Sequence, residues 1–339
     1  MKLKTVFITG ANGFVGKPLS QRLLDEGWRV KAGVRVPDAV DGLPAGVDVV
    51  TAPDVSKDVD WTPLFSGVDA VVHLIARTHV MHERAVDPLE AYRQINVQGT
   101  RRVAAGALRA GVSRFIFMSS IKAVGEGAES AYSEATPAQP EDAYGISKLE
   151  AEQELFEMFL HTPASLSVVR PPLIYGANAR GNLLRLMRLA RLGIPLPLGG
   201  IRNARSMVYV KNLTDAVATL LERDHCRGLY HVADAQPQST SELLRVLAAA
   251  QRVRLRLLPT PISALRFAGR LFGRSDEIRR LLGSLTVSIE RMQRDARWKP
   301  PHSAETGLTE MVDAFLAERE PTRMARMRPQ NESERRKAA

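Results

Sequence analysis

A tyrosine and a lysine near the middle of the chain have the spacing that general acid–base chemistry requires. Tyr144 and Lys148 are four residues apart in a segment with helical character, so their side chains share one helix face. A lysine cation beside a phenol lowers the pKa of the phenol, which makes Tyr144 a candidate general acid or base. Ser119 and Ser120 end an apolar segment upstream, and a serine there can hydrogen-bond the same substrate oxygen.

A glycine pattern near the N-terminus could hold the phosphates of a nucleotide. Gly10, Gly13 and Gly16 fall at every third residue between an apolar run at 5–8 and a helical segment at 17–26. Glycines there let the chain turn, let the backbone approach a pyrophosphate and let the helix pack on a sheet. The helix N-terminus would then offer free N–H groups to phosphate oxygens. Three further residues of this loop are candidates to border the cofactor: Asn12, Phe14 and Val15.

Composition indicates a globular protein with a basic surplus. The chain has 339 residues, 45% of them hydrophobic and 25% charged, and a formal net charge of +10. The single Cys226 excludes an internal disulfide, and no apolar run reaches the roughly 18 residues that a membrane-spanning helix needs. No nucleic-acid-binding motif accompanies the charge. We therefore expect a cytoplasmic protein with a cleft for an anionic small molecule, no nucleic-acid partner, and at most weak membrane-surface association through residues 266–280 and the basic tail.

Strand-like and helix-like segments alternate along the first half of the chain, which predicts an α/β fold with a Rossmann-like, doubly wound parallel sheet. Apolar runs typical of doubly buried strands occur at residues 5–9, 29–34, 47–52, 70–75, 114–118 and 166–170. Helical periodicity covers residues 89–110, 143–160, 241–251 and 263–282. We expect a cofactor-binding domain at 1–170, a smaller C-terminal substrate lobe at 171–320 from which 207–210 and 228–233 rejoin the sheet, and a disordered basic tail at 321–339.

Residues just after the strands would lie at the sheet edge where ligands bind. Arg35 follows the second strand, where an arginine accommodates the 2′-phosphate of NADP and a carboxylate would bind the ribose of NAD. His79 and His82 have no third partner in the sequence, so we expect no metal site. The other cofactor candidates follow the third and fourth strands or lie in the next helix: Asp54, Val55, Leu74, Ala76 and Asn96.

The ordered set of glycine loop, Asn96, Ser120 and the Tyr144–Lys148 pair resembles the extended short-chain dehydrogenases/reductases, in particular the nucleotide-sugar epimerase/dehydratase family, over residues 1 to about 315. The resemblance implies that Tyr144 is the acid/base, that Lys148 binds the nicotinamide ribose, and that Ser120 polarises the substrate oxygen. It implies a homodimer through the helices at 89–110 and 143–160. It also implies that the cofactor contacts Ser119 and Pro171, and that a UDP-sugar is held by Asn182, Leu183 and Arg205, with Lys122 as a further candidate.

Three reactions share this scaffold. Dehydratases of the family carry an Asp–Glu pair where this chain has Ile121 and Lys122, which argues against dehydration. Our main expectation is reduction of a UDP-4-keto-6-deoxy-N-acetylhexosamine in surface-polysaccharide synthesis, because Arg35 favours NADP(H) over NAD(H) and residues 119–126 are similar to such 4-reductases. A UDP-glucose or UDP-N-acetylglucosamine 4-epimerase is the alternative, since both reactions use the same residues. A non-catalytic NAD(P)-binding sensor or scaffold is more distant, because such proteins typically lack the Tyr–Lys pair.

Overall fold

Seven parallel strands form the central sheet, and the predicted α/β fold with a Rossmann-like, doubly wound parallel sheet is confirmed. The computed structural model describes residues 4–36, 40–78, 86–127, 130–179 and 181–317. The strands of this part of the chain are β1 (Thr5–Thr9), β2 (Arg29–Val34), β3 (Asp48–Thr51), β4 (Ala70–His73), β5 (Arg114–Met118), β6 (Ser165–Arg170), β7 (Leu173–Tyr175), β8 (Pro195–Leu196), β9 (Met207–Tyr209), β10 (Gly228–His231) and β11 (Arg256–Leu257). The order across the main sheet is β10-β6-β5-β4-β1-β2-β3.

The strand order reverses between β1 and β4, which pair in parallel with Val6 opposite Ala70. In doubly wound sheets, ligands bind beyond the carboxyl ends of the strands at this switch point. The glycine loop follows β1, and the segment from Leu74 follows β4, so both lie at that point. The topology therefore places the two predicted cofactor segments side by side.

Helices cover both faces of the sheet. They are α1 (Gly16–Asp25), α2 (Pro88–Arg93), α3 (Thr100–Arg109), α4 (Ala143–Phe159), α5 (Asn182–Ala190), α6 (Val210–Glu222), α7 (Thr240–Ala250), α8 (Ile262–Leu271), α9 (Ser275–Leu282), α10 (Glu290–Ala296) and α11 (Ala304–Ala317). The predicted helix at 89–110 is interrupted by a π-helical turn, Gln94–Gly99. The predicted helix at 263–282 is two helices, because Gly273 takes φ +65° between them.

Two apolar layers enclose the sheet. One contains Leu19 and Leu23 of α1 with Leu213 and Val217 of α6, and Trp298 closes it with 4% of its surface exposed. The other layer lies on the opposite face and is built mainly from large side chains: Trp61, Phe65, Val103, Phe115, Leu155 and Phe159. The prediction that Trp298 is a core residue is confirmed, and its indole N–H donates to Asp215 Oδ2 over 2.8 Å.

The C-terminal half returns to the sheet at one of the two predicted places. β10 pairs with β6 in the main sheet, but β9 pairs with β7 in a separate two-stranded sheet, and β8 pairs with β11 in another. The prediction for 207–210 was therefore wrong, since an apolar strand does not specify its partner. The predicted tail at 321–339 lies outside the described residues. No helix among those described is long and apolar enough to cross a membrane.

Candidate active site

The glycine loop after β1 has the shape of a phosphate site. Gly10 takes φ +67°, and a Cβ on Gly16 would lie 2.5 Å from the carbonyl oxygens of Gly10 and Ala11. A Cβ on Gly13 would meet only the Gly10 oxygen, at 3.1 Å, within a 4 Å radius. Helix α1 begins here with no side-chain cap and no acidic residue in its first turn, so its N–H groups can bind an anion. The half-buried residues beside this opening are Asn12, Phe14 and Val15.

A methyl group at Gly13 should weaken dinucleotide binding without unfolding the protein. In Gly13→Ala the methyl group makes one close contact with the protein, 3.1 Å from the Gly10 carbonyl oxygen, and it occupies the space that a pyrophosphate needs, so affinity should fall at least about tenfold. Titration calorimetry with the dinucleotide measures this change. Gly16→Ala is the matched control, because its methyl group meets backbone atoms and should lower the melting temperature instead. Unchanged affinity in Gly13→Ala contradicts the assignment of the loop.

Three buried side chains fix the segment after β4 beside the glycine loop. The Leu74 N–H donates to Thr9 Oγ1 over 3.1 Å, and this oxygen lies 2.8 Å from Nδ1 of His73. Nε2 of His73 lies 3.1 Å from Thr100 Oγ1. Burial lowers the pKa of His73 to about 3, helped by the Lys148 charge, so the ring is neutral at physiological pH. A neutral imidazole thus joins β1, β4 and α3 beneath the predicted cofactor site.

Asn96 lies in the π-helical turn and is fully buried. Its Oδ1 accepts from the Arg77 N–H over 2.8 Å, and its Nδ2 donates to the Arg77 carbonyl oxygen over 3.1 Å and to Ser147 Oγ over 2.9 Å. These bonds tie the segment containing the half-buried Ala76 to helix α4. These hydrogen bonds to protein groups offset the cost of burying the Asn96 amide. The predicted contact of Asn96 with the cofactor stays a prediction.

Arg35 and Asp54 lie at the carboxyl ends of β2 and β3, where the ribose and adenine of a dinucleotide are expected. Arg35 is exposed. Asp54 Oδ1 accepts hydrogen bonds from the N–H and hydroxyl of Ser56, over 2.9 and 2.8 Å. These bonds, with a smaller contribution from Arg35, hold the pKa of Asp54 below its usual range. Val55 is buried against Gly99, so it can form an apolar wall of the site.

Tyr144 and Ser120 meet at the carboxyl end of β5. Helix α4 begins just before Tyr144, where Asp142 accepts from the Gly145 N–H over 2.7 Å. The side chains of Ser120 and Tyr144 are hydrogen-bonded to each other. Burial raises the pKa of Tyr144 to about 12, and the Ser120 bond offsets this only in part. The expectation that Lys148 lowers the pKa of this phenol is not met here, because desolvation dominates.

Lys148 is buried behind Tyr144 with 1% of its surface exposed. Its Nζ donates to the Met118 carbonyl oxygen over 2.7 Å and lies 4.4 Å from the centre of the Phe117 ring. Burial lowers the pKa of Lys148 to about 7, although the Glu152 carboxylate opposes this change. A proton at Nζ is therefore exchangeable near neutral pH in the ligand-free protein.

The buried Lys148 should give protein stability a distinctive pH dependence. Its pKa is about 7 when folded and 10.5 ordinarily, so between these values the unfolded chain binds the extra proton. The Lys148 contribution to the free energy of unfolding then rises with pH from about 7 to 10.5, by at most about 1.4 kcal/mol per pH unit. Urea unfolding of the wild type and Lys148→Met should show a difference that changes across this window and is constant below it. A difference that does not vary with pH contradicts the prediction.

A buried ion pair that the sequence analysis missed lies next to this site. Arg170 at the end of β6 donates from Nε to Glu152 Oε1 over 2.9 Å, and the side chains are 6% and 2% exposed. The Ser119 hydroxyl also donates to Glu152. The Ile121 N–H donates to the Pro171 carbonyl oxygen over 3.0 Å, which joins the chain after β5 to the chain after β6. Glu152 follows Lys148 by one helical turn, and that spacing was the available signal.

Lys122, a predicted substrate ligand, is held by two carboxylates. Its Nζ lies 2.7 Å from Glu126 Oε1 and also bonds Asp142, the residue that caps α4. Burial disfavours the ammonium, but these two partners outweigh burial and raise the pKa of Lys122. Burial lowers the pKa of Arg205, whereas the Glu126 charge raises it. Glu126 therefore acts on both predicted substrate cations, a connection that the sequence did not show.

The start of α5 offers backbone groups rather than side chains to a second anion. Gly181 precedes the helix with φ +95°, and no side chain caps the helix N-terminus. Asn182 is exposed, but Leu183 is 3% exposed and packs in a core cluster with Tyr175 and Met187. Helical periodicity turns the Leu183 side chain inward, and the prediction that Leu183 binds substrate stays a prediction. Its N–H group remains at the helix N-terminus.

Metal chemistry has no support within the part of the chain that the structure describes. No group of three or more His, Cys, Asp or Glu side chains there could hold a metal ion. His79 and His82 lie outside the described residues.

Comparison with known proteins gives the family. A family model described as "NAD dependent epimerase/dehydratase family" matches residues 6–233. A UDP-glucose 4-epimerase of Vibrio cholerae is 37% identical over 319 residues, which is 92% of this chain and 96% of that protein. The chain belongs to the NAD dependent epimerase/dehydratase family.

Solved structures share the fold of this family member. UDP-glucose 4-epimerase of Thermotoga maritima, solved with UDP-glucose, has a TM-score of 0.74 at 19% identity and covers 93% of this chain and 100% of that chain. MoeE5 in complex with UDP-glucose and NAD has a TM-score of 0.73 at 22% identity, over 93% of this chain and 99% of that chain. The predicted resemblance to the epimerase/dehydratase family is thus confirmed, whereas the comparisons do not show the narrower resemblance to 4-reductases.

Proposed function

We propose that this protein is a UDP-hexose 4-epimerase that works with NAD. The observation that carries the proposal is the 37% identity, over almost the whole chain, to a UDP-glucose 4-epimerase. The site agrees with it, because Tyr144 and Ser120 are hydrogen-bonded at the sheet edge that faces the glycine loop. Ile121 and Lys122 stand where a dehydratase of the family carries acidic residues, which disfavours elimination of water.

The proposed reaction inverts C4 of the sugar. Tyr144 Oη takes the proton of the C4 hydroxyl as C4 is oxidised to a ketone, and Ser120 Oγ donates a hydrogen bond to the same oxygen. The 4-keto-sugar turns over in the site, and Tyr144 returns the proton as C4 is reduced from its other face. A bound NAD would supply the hydride acceptor and donor for C4, and its oxidised ring would bring a positive charge that favours the Tyr144 phenolate.

The raised pKa of Tyr144 suits the second half of this cycle. A phenol with a pKa of about 12 is protonated at neutral pH and can donate to the oxygen of the keto-sugar. Lys148 lies one turn further along the helix, with its Nζ held by the Met118 carbonyl oxygen. We assign it to the nicotinamide ribose, which would replace part of its protein environment.

The nucleotide of the substrate belongs, in this proposal, at the N-terminus of α5. The uncapped N–H groups after Gly181 favour an anion such as a pyrophosphate. Arg205 is the candidate side chain for the same group, because a guanidinium pairs well with phosphate oxygens. Its present partners include the Gly283 carbonyl oxygen at 3.1 Å, which orients it.

The choice between NAD and NADP rests on Arg35. The family description and the bound NAD of MoeE5 support NAD for this chain. An exposed arginine after β2 keeps NADP(H) open, since it can pair with a 2′-phosphate. Titration calorimetry with both dinucleotides, in the wild type and Arg35→Gln, separates the two: tighter NADP binding that is lost in Arg35→Gln would overturn the NAD assignment.

Two assays on the purified protein distinguish a 4-epimerase from a 4-reductase. UDP-glucose and UDP-N-acetylglucosamine are incubated separately without added cofactor, and conversion to the C4 epimers is followed by NMR. We expect conversion of at least one. A second assay supplies UDP-4-keto-6-deoxy-N-acetylglucosamine with NADPH or NADH. Cofactor oxidation there, without epimerisation in the first assay, would replace the proposal by the 4-reductase of surface-polysaccharide synthesis. Dinucleotide binding without either reaction would indicate a non-catalytic sensor or scaffold.

We also propose a homodimer through the outer faces of the helices at 89–110 and 143–160, which are α2, α3 and α4. These faces carry the ion pairs Arg93–Glu150 and Arg101–Glu154 and an exposed Phe156. Sedimentation velocity of the wild type and Phe156→Glu measures this state, and a wild-type monomer would contradict it.

A further inference from the structure

The C-terminal lobe carries an apolar surface that no described part of the chain covers. Helix α8 packs one face inward through Leu265, which is 7% exposed, and Gly269. A Cβ on Gly269 would lie 2.8 Å from Cγ1 of Ile278. Its other side leaves Phe267 and Leu271 exposed by 67% and 69%, and Phe272 follows at 73%. Phe267 and Leu271 are one helical turn apart, so their side chains form a continuous patch. Single exposed apolar side chains are common, but a contiguous exposed apolar patch marks an interaction site for a protein or a membrane.

Arginines lie beside this patch, and Asp276 and Glu277 follow it in the sequence. Between residues 243 and 275 the chain has no aspartate or glutamate, and its charged side chains are all arginines: Arg245, Arg252, Arg254, Arg256, Arg266, Arg270 and Arg274. The three arginines of the α8 region, Arg266, Arg270 and Arg274, are exposed. An exposed helix that presents phenylalanine and leucine between arginines matches an interfacial membrane helix.

We propose that α8 is a docking surface for an anionic lipid bilayer. Phe267, Leu271 and Phe272 enter the headgroup region, while Arg266 and Arg270 pair with lipid phosphates. A second copy of the chain fits less well, because a twofold contact through this patch would bring Arg266 and Arg270 of one copy against those of the other. The test measures lipid binding, so it does not depend on the epimerase assignment.

Vesicle sedimentation tests the proposal with the full-length chain. The wild type is mixed with phosphatidylcholine vesicles, with and without phosphatidylglycerol, and the bound fraction is measured after centrifugation. We expect binding to the anionic vesicles. The triple variant Phe267→Ser/Leu271→Ser/Phe272→Ser should weaken this binding at least about tenfold, and Arg266→Gln/Arg270→Gln by a similar factor.

Matched variants distinguish the α8 patch from the rest of the protein surface. Leu160→Ser removes a leucine of equal exposure, 71%, that follows Glu154 and Glu157 on α4, and it should leave binding unchanged. Unchanged circular dichroism and melting temperature verify that the α8 variants are folded. Failure of the wild type to bind anionic vesicles overturns the proposal. Unchanged binding of the triple α8 variant to anionic vesicles also overturns the proposal. The same holds if that binding is lost only when residues 318–339 are removed. An oligomer that dissociates in the triple variant without lipid would assign the patch to a second copy.

Discussion

Replacing Tyr144 by phenylalanine should abolish turnover while leaving dinucleotide binding intact. The substitution removes the phenol oxygen that exchanges a proton with the sugar hydroxyl, and it keeps the ring between its neighbours. Loss of a positioned acid/base typically costs about 10²–10⁴-fold in rate, so kcat should fall by that factor. Ser120 forms a hydrogen bond with Tyr144. It cannot replace the tyrosine as acid or base, because a serine hydroxyl does not ionise near neutral pH.

Tyr92 provides the matched control for this prediction. Its ring centre lies 6.1 Å from that of Tyr144, and its hydroxyl donates to the Thr78 carbonyl oxygen over 3.2 Å. Tyr92→Phe removes the same atom from the neighbouring ring and should keep kcat within a few-fold of the wild type. Conversion of UDP-glucose followed by NMR measures both variants, and titration calorimetry measures dinucleotide affinity. A Tyr144→Phe enzyme with kcat within tenfold of the wild type would show that another group moves the proton.

Arg170→Met should cause the largest loss of stability among single substitutions near the site. It removes one member of an ion pair whose side chains are 6% and 2% exposed, and it leaves the buried Glu152 carboxylate with the Ser119 hydroxyl and the charge of Lys148 but no guanidinium. Removing one partner of a buried ion pair typically costs about 3–5 kcal/mol. The free energy of unfolding from urea titration should fall by that amount, with little change in m value.

A surface ion pair supplies the control. Arg29 and Asp48 form an ion pair of similar chemistry between β2 and β3, but their side chains are 61% and 46% exposed. Because water screens this pair, Arg29→Met should cost at most about 1 kcal/mol. The double variant Arg170→Met/Glu152→Leu should recover most of the loss, since two apolar side chains need no counter-charge. Equal losses in Arg170→Met and Arg29→Met would refute the importance of burial here.

The sequence by itself determined the local elements and the identity of the family. Apolar runs located the strands of the main sheet because parallel strands are buried on both faces. The glycines at 10, 13 and 16, the serines before residue 121, and the Tyr144–Lys148 spacing are local features, and backbone geometry fixes their relation within a few residues. The same patterns left the reaction open, since reductases and epimerases of this scaffold use the same residues.

The tertiary structure decided what depends on contacts between distant segments. Strand β9 pairs with β7 rather than entering the main sheet, and the helix at 89–110 opens into a π-helical turn where Asn96 bonds the Arg77 backbone. Lys122 is held by Asp142, and Arg170 by Glu152.

The pKa values of Tyr144 and Lys148 also depend on contacts between distant segments. Spacing suggested that Lys148 would lower the pKa of Tyr144, but packing of α4 against the sheet buries both groups. Burial penalises the charged form of each, so the pKa of Tyr144 rises to about 12 and that of Lys148 falls to about 7. Desolvation is a property of the assembled surroundings and not of residue order, which is why only the folded chain could set these charges.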